Sequence, residues 1–226
     1  YYHRYTADEH VLRTIRHLDN VFAKKSPMDV PYEKEIRKNN KPHLLYITLL
    51  LHDIGKSGGI RGHAESGAIL AEPILNRLGY KKEDQKKILF IIRKHLEMAR
   101  FWQRYDLDDI QTAISFSEII KDKELLRLLT VHTYCDSKGT APTMWNNYKD
   151  SMHQTLFSKT LEILETQACP DTLNKEYKAM LKKDVLQLSL GNLPEEEVEA
   201  HFSLLPERYF VNTSANEAIL HLNMIN

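Results

Sequence analysis

Residues Leu44 to Gly67 read LLYITLLLHDIGKSGGIRGHAESG. From Leu44 to Ile54 the stretch is apolar nearly all round, which marks a helix buried on most of its faces and central to the fold. It ends abruptly in His52-Asp53. Gly55, Gly58 and Gly59 supply the backbone freedom for a helix end there, and the loop then delivers Lys56, Arg61 and His63. Two potential metal ligands followed by two cations admit two readings. One is an ordinary capped helix end, the other half of a metal site that handles phosphate.

Outward from that helix the chain keeps helical period, with no strict alternation of the kind a half-buried strand shows. Gly and Pro number only eight each in 226 residues. Thr6 and Glu9 have the spacing of a capping box, ahead of a helix carrying Val11, Leu12, Ile15, Leu18 and Phe22. Residues 24–41, with Pro27 and Pro31, read as a loop or short helix. Further helices are expected over His63–Leu78, closed by Gly79 at C′, and over Lys82–Ala99, Leu107–Ile120, Lys123–Ser137 and Thr143–Glu165. Asn174–Leu188 and Glu195–Leu204 follow, the second with Pro194 at its first helical position. The fold class is all-α: a helical bundle over residues 1–168, then a helical extension over 169–226.

Charges balance at 31 basic against 31 acidic residues. No bulk positive charge therefore draws the chain to nucleic acid, and any phosphate recognition is local. No apolar run reaches the ~18 residues of a membrane span, and the first residues lack a signal-peptide pattern. A cytoplasmic protein is expected, with no membrane partner. Cys135 and Cys169 are expected as buried free thiols. The chain opens Tyr1-Tyr2 without a Met and reads as a segment of something longer.

Six residues stand out near helix ends or on polar helix faces: His10, His52, Asp53, His63, His95 and Asp136. Imidazole and carboxylate suit a divalent ion, with Mn or Mg favoured and Fe or Zn also accommodated by a mixed N/O set. Each residue alone has an ordinary reading. His52-Asp53 fits a helix dipole and a cap, and Asp136 fits the cap of a helix that Gly139 ends. As an ordered series, one member per helix of a bundle, they converge on one cavity. Asp53, with two oxygens, bridges two ions in that reading, with His10, His52 and Asp136 around one and His63 and His95 around the other. Lys56 and Arg61 then face an anionic phosphoryl group, and Asp53, Lys56 and Arg61 form the catalytic set. His3, His17, His43, His132, His153, His201 and His221 fit no such series and are taken as structural. Trp102, Trp145, Tyr105 and Tyr148 are taken as packing residues.

The series resembles the HD superfamily of metal-dependent phosphohydrolases. The match narrows to the uridylyl-removing HD domains of bacterial bifunctional uridylyltransferase/uridylyl-removing enzymes. It is carried by TADEHVL (Thr6–Leu12), LHDIGK (Leu51–Lys56), RGHAESGA (Arg61–Ala68), HLEM (His95–Met98) and TYCD (Thr133–Asp136). Thr140, Pro142 and WNNYK (Trp145–Lys149) continue it, and LPERYF (Leu205–Phe210) resembles the connector before the family's ACT domains. The resemblance implies hydrolysis of the UMP–tyrosyl bond of the uridylylated PII signalling protein, with UMP as product. It also implies a nucleotidyltransferase domain and ACT domains elsewhere in the same full-length chain. A free nucleotide or cyclic dinucleotide as substrate, or a silent PII-docking module, are the alternatives. Two departures are plain: Lys94 stands where relatives often carry another His, which bears on the second ion, and Cys135 stands in place of a small Ala. Residues 165–199 carry no recognised motif.

Overall fold

The computed structural model describes residues 5–59, 62–166, 170–189, 193–206, 209–210 and 213–225, and every regular element among them is a helix. In order these are α1 (Ala7–Phe22), α2 (Asp29–Arg37), α3 (Leu44–Leu51), a 3₁₀ turn (Ile54–Gly58), α4 (His63–Arg77), α5 (Lys82–Lys94) and α6 (Glu97–Arg104). They continue as α7 (Ile110–Ile120), α8 (Lys123–Thr140), α9 (Asn147–Thr166), α10 (Pro170–Leu188), α11 (Glu195–Ser203) and α12 (Ala215–Ile225). No described helix is long and apolar enough to cross a membrane.

α3 is apolar on most faces because it serves two cores. Leu45 and Leu49 join Leu18 and Val21 of α1 and Leu129 of α8 in the main core. Leu44, Ile47 and Leu51 face a second core with Ala68 and Ala71 of α4 and Ile88 and Ile92 of α5. Each Leu fully buried in this way contributes about 2 kcal/mol. Thr48 is buried too, and its hydroxyl donates to the Leu44 carbonyl at 2.6 Å, so no polar group is stranded. The polar end of α3 is thereby fixed between α1, α4, α5 and α8.

α1 and α8 approach closely at one point. A Cβ on Gly139 would lie 2.6 Å from Thr14 Cγ2 and 3.1 Å from Thr14 N. Gly139 therefore does not end α8, as its type suggested; it lies inside the helix and lets α1 pack against it. α8 runs on to Thr140, so Asp136 lies within its last turns and is not its cap.

Other expectations shift for local reasons. Thr6 is the N-cap of α1 without a side-chain cap bond: its side chain bonds Asp8 instead, and Glu9 turns to Arg13 at 2.8 Å, so the capping box is unformed. The helix expected over Lys82–Ala99 is two helices, broken at His95-Leu96. The helix expected to reach Ile54 ends at Leu51. Pro194 precedes α11 in an extended conformation as its N-cap, not its first helical residue. Gly79 does close α4, at φ 75°, with Tyr80 N–H donating to Leu75 O and Gly79 N–H to Asn76 O, both 3.1 Å. α12 had no counterpart in the sequence reading. It packs Ala218 and Leu222 against Leu181 and Val185 of α10 and Val198 and Phe202 of α11, in a core of C-terminal residues alone.

Candidate metal centre

The four helix termini and turns around α3 deliver the predicted residues to one place. His52 is the C-cap of α3, still in α conformation, and Asp53 follows at φ −102°, ψ 4°. That is the sparsely populated bridge region where active-site residues often sit. The turn overcomes the divergence of neighbouring side chains, and His52 Nε2 lies 3.3 Å from Asp53 Oδ2. His10, from α1, places Nε2 3.0 Å from Asp136 Oδ1 of α8 and 3.3 Å from His52 Nε2. His63 opens α4 and His95 caps α5, with their Nε2 atoms 3.2 Å apart.

Asp53 divides its carboxylate between these pairs. Oδ2 faces His10 at 3.6 Å and His52 at 3.3 Å, while Oδ1 faces His63 at 3.6 Å and His95 at 3.9 Å. Two sets of ligand atoms result, each compact enough to hold one ion: His10, His52 and Asp136, and Asp53, His63 and His95. All six residues are buried except Asp136, which is partly open.

The helix ends also fix the rings. His52 Nδ1 donates to the Leu49 carbonyl at 2.8 Å, and His95 Nδ1 donates to the Ile92 carbonyl at 2.7 Å. A carbonyl only accepts, so the hydrogen sits on Nδ1 and both Nε2 lone pairs point into the cluster, as a metal-binding imidazole requires. The same bond explains the break between α5 and α6, since the ring takes up a carbonyl of the last turn of α5.

Electrostatics agree. Burial opposes charge on His52, but Asp136 and Asp53 outweigh it and lift its pKa to about 10. Burial likewise opposes ionisation of Asp53 and Asp136, yet His52 holds both carboxyls below the usual range. Burial, reinforced by His52, lowers His95 to about 4. The carboxylates thus demand positive charge here, which a proton on His52 or a divalent ion meets. The buried, convergent N/O donor set fits such an ion.

The turn after α3 brings in Lys56, whose Nζ lies 2.5 Å from Asp53 Oδ2. Arg61 lies outside the described residues. Gly55 makes the turn possible, because a Cβ there would meet His63 O at 2.1 Å and Gly67 N at 2.5 Å. Gly62 stands before α4 at φ 74°, a left-handed conformation that suits glycine.

One residue was missed. His132 of α8 is fully buried, its ring 5.2 Å from that of His52 and 6.1 Å from that of His95. Neither of its nitrogens has a hydrogen-bond partner. It precedes Asp136 by one helical turn on the same face, and that spacing was the signal available. By contrast, His153 is structural as expected, with Nε2 donating to the Thr130 carbonyl at 3.0 Å. Trp102 and Trp145 pack edge to face in the interior. Tyr105 and Tyr148 do not belong there: they are 49% and 71% exposed. Cys135 is buried and free, while Cys169 lies outside the described residues.

A helical bundle whose helix ends present two adjoining His/Asp groups is the architecture of a metal-dependent phosphohydrolase. Residues 8–126 match the family model described as HD domain, and the chain belongs to that family. A particular relative is the bifunctional uridylyltransferase/uridylyl-removing enzyme of Ruegeria pomeroyi, 35% identical over 205 residues. The match takes in 89% of this chain and 22% of that enzyme, so the chain spans about a fifth of the relative's length.

Proposed function

We propose that this chain hydrolyses the phosphodiester joining UMP to a tyrosine of the uridylylated PII signalling protein, releasing UMP. The observation that carries a phosphoester hydrolase is the division of Asp53 between two His groups, with Lys56 at its edge. The substrate rests on the relative's name and on the motifs shared with its family.

In this reading His10, His52 and Asp136 would hold one divalent ion, Mn or Mg, and Asp53, His63 and His95 would hold a second. Such ions supply Lewis-acid activation of water and of the phosphoryl group. The protein's own part is placement. The bonds from His52 and His95 to backbone carbonyls keep the rings aimed, and Lys56 and Arg61 offset charge gathering on the phosphoryl oxygens. The tyrosinate leaves with little help, because a phenol ionises near pH ~10. Residues 1–168 form the hydrolase domain and 169–226 a helical extension towards ACT domains, a division supported by the separate C-terminal core. The nucleotidyltransferase and ACT domains belong to the same full-length cytoplasmic protein.

The test is release of UMP from uridylylated PII by the Mn- or Mg-loaded chain. Turnover of free nucleotides or cyclic dinucleotides without that release reassigns the substrate.

A further inference from the structure

Lys56 Nζ lies 2.5 Å from Asp53 Oδ2, the carboxylate oxygen that faces His10 Nε2 at 3.6 Å and His52 Nε2 at 3.3 Å. The ammonium is therefore bonded to the side of Asp53 that adjoins the set of His10, His52 and Asp136. Asp53 Oδ1 faces the other set, through His63 and His95. Lys56 reaches Oδ2 from a turn that is held without its ammonium. Its backbone N–H donates to the Asp53 carbonyl at 3.0 Å, and Gly55 packs against His63 O and Gly67 N, where a Cβ has no room. The Lys56 side chain is 23% exposed, on a flexible four-carbon stem. It is placed as a counter-charge that can leave, not as a prop.

The two roles differ in sign. A prop would help Asp53 hold an ion. A counter-charge opposes one, because ammonium and ion draw on the same oxygen and repel each other. Burial sharpens the contest: the side chains of Asp53, His10 and His52 are only 4%, 1% and 1% exposed, so the charges around Oδ2 are little screened. The balance of charge points the same way. The two ligand sets carry two carboxylates, Asp53 and Asp136. With the imidazoles neutral as ligands, a single divalent ion already balances both. Lys56 then leaves a positive surplus, and a second ion enlarges it. A phosphodiester anion beside Lys56 reduces the surplus and offers the ammonium a charged partner other than Asp53.

We propose that Lys56 competes with a divalent ion for Asp53 Oδ2, so that the free protein holds the ion less tightly and a phosphodiester anion tightens it by drawing the ammonium away. By linkage the ion then tightens the anion by the same factor. The competition deepens the phosphohydrolase reading and rests on its metal centre.

Titration of the whole chain with Mn, followed by its electron paramagnetic signal and without substrate, tests the sign. Lys56→Met removes the charge and keeps the apolar stem; it should bind Mn about tenfold more tightly than wild type, within the ~5–150-fold span of coupling between bound groups. Lys56→Arg keeps the charge and should stay close to wild type. Lys56→Gln supplies a second neutral side chain should Lys56→Met fold poorly. The gain belongs to the set beside Oδ2, so adding Asp136→Asn to Lys56→Met should abolish it. Weaker or equal Mn binding by the neutral variants overturns the competition. Dimethyl phosphate, a minimal phosphodiester anion, should tighten Mn in wild type and do so much less in Lys56→Met; an equal effect in both overturns the coupling. Wild type that binds no Mn refutes the metal centre itself, and the competition with it. The expected gain in Mn affinity with no hydrolysis of phosphodiesters refutes the hydrolase reading and leaves the competition standing.

Discussion

A Cβ on Gly55 would fall 2.1 Å from the carbonyl oxygen of His63. That oxygen is backbone, so it does not give way cheaply, and it belongs to the residue whose ring faces Asp53 Oδ1 at 3.6 Å. Gly55→Ala should destabilise the protein by about 3 kcal/mol, the upper range for overpacking, and should lower bound metal by displacing His63. Gly58 has nothing within 4 Å of a built Cβ, and Gly58→Ala should leave both properties within ~0.5 kcal/mol and unchanged stoichiometry. Urea denaturation and elemental analysis of the two variants decide it.

Asp53 touches both His groups, whereas among the histidines of the described residues Asp136 comes within 4 Å of His10 and His52 alone. Asp53→Asn should therefore weaken both ions and abolish phosphoester hydrolysis, and Asp136→Asn should weaken one. The loss of affinity should exceed the ~10–100-fold that removal of an outer hydrogen-bond partner costs. Titration with Mn, followed by its electron paramagnetic signal, counts the sites. Two intact sites in Asp53→Asn would remove the bridging role.

His132 packs at 80° against His52 and reaches His95 as well. Its truncation opens space beside two rings whose aim matters, so His132→Ala should lower metal affinity about 10-fold, in the range of outer-partner losses. His132→Phe keeps a ring and should recover most of that loss if packing is the cause. The same Mn titration measures both.

The ligand series was legible because each member follows an apolar run or sits at a helix end, where side-chain type and position both carry meaning. That Asp53 faces both His groups, one through each carboxylate oxygen, is a placement its two oxygens allowed. His132 was not legible as a member, because a buried histidine in an apolar helix looks the same whether it touches a metal group or not. The break at His95-Leu96 was hidden for a related reason. The periodicity of Lys82–Ala99 is continuous, and only the bond from the His95 ring to Ile92 O marks the interruption. Gly139 was misread because close helix approach and helix termination call for the same residue. α12 escaped because its apolar face becomes apparent only against α10 and α11.

His153 sets a pH dependence away from the metal centre. Burial lowers its pKa to about 4, against about 6.5 in the unfolded chain. The unfolded state therefore takes up a proton that the folded site refuses, so stability is full above pH ~6.5 and falls as pH drops towards ~4. The loss from this residue is about 1.4 kcal/mol per pH unit, about 3 kcal/mol across the window. His153→Gln can still donate to the Thr130 carbonyl, and should flatten this part of the stability profile while costing some stability at pH 7. Denaturant midpoints at pH 7, 6, 5 and 4.5 measure the slope; an unchanged slope in the variant would assign it to other groups.

Gly139 and Thr14 set the spacing of α1 from α8, and so that of His10 from Asp136. Gly139→Ala places its methyl 2.6 Å from Thr14 Cγ2, which should cost about 1–3 kcal/mol and weaken the ion held by His10 and Asp136 while sparing the one held by His63 and His95. Thr14→Ser deletes that methyl and keeps the hydroxyl that donates to Val11 O at 2.7 Å. In the double variant the nearest remaining obstacle is Thr14 N at 3.1 Å, so rescue should be partial. A double-mutant cycle should give a coupling energy of about 0.5–3 kcal/mol between the two positions. Strict additivity of the two changes, in denaturation and in Mn titration alike, would mean that the α1–α8 spacing does not control the site.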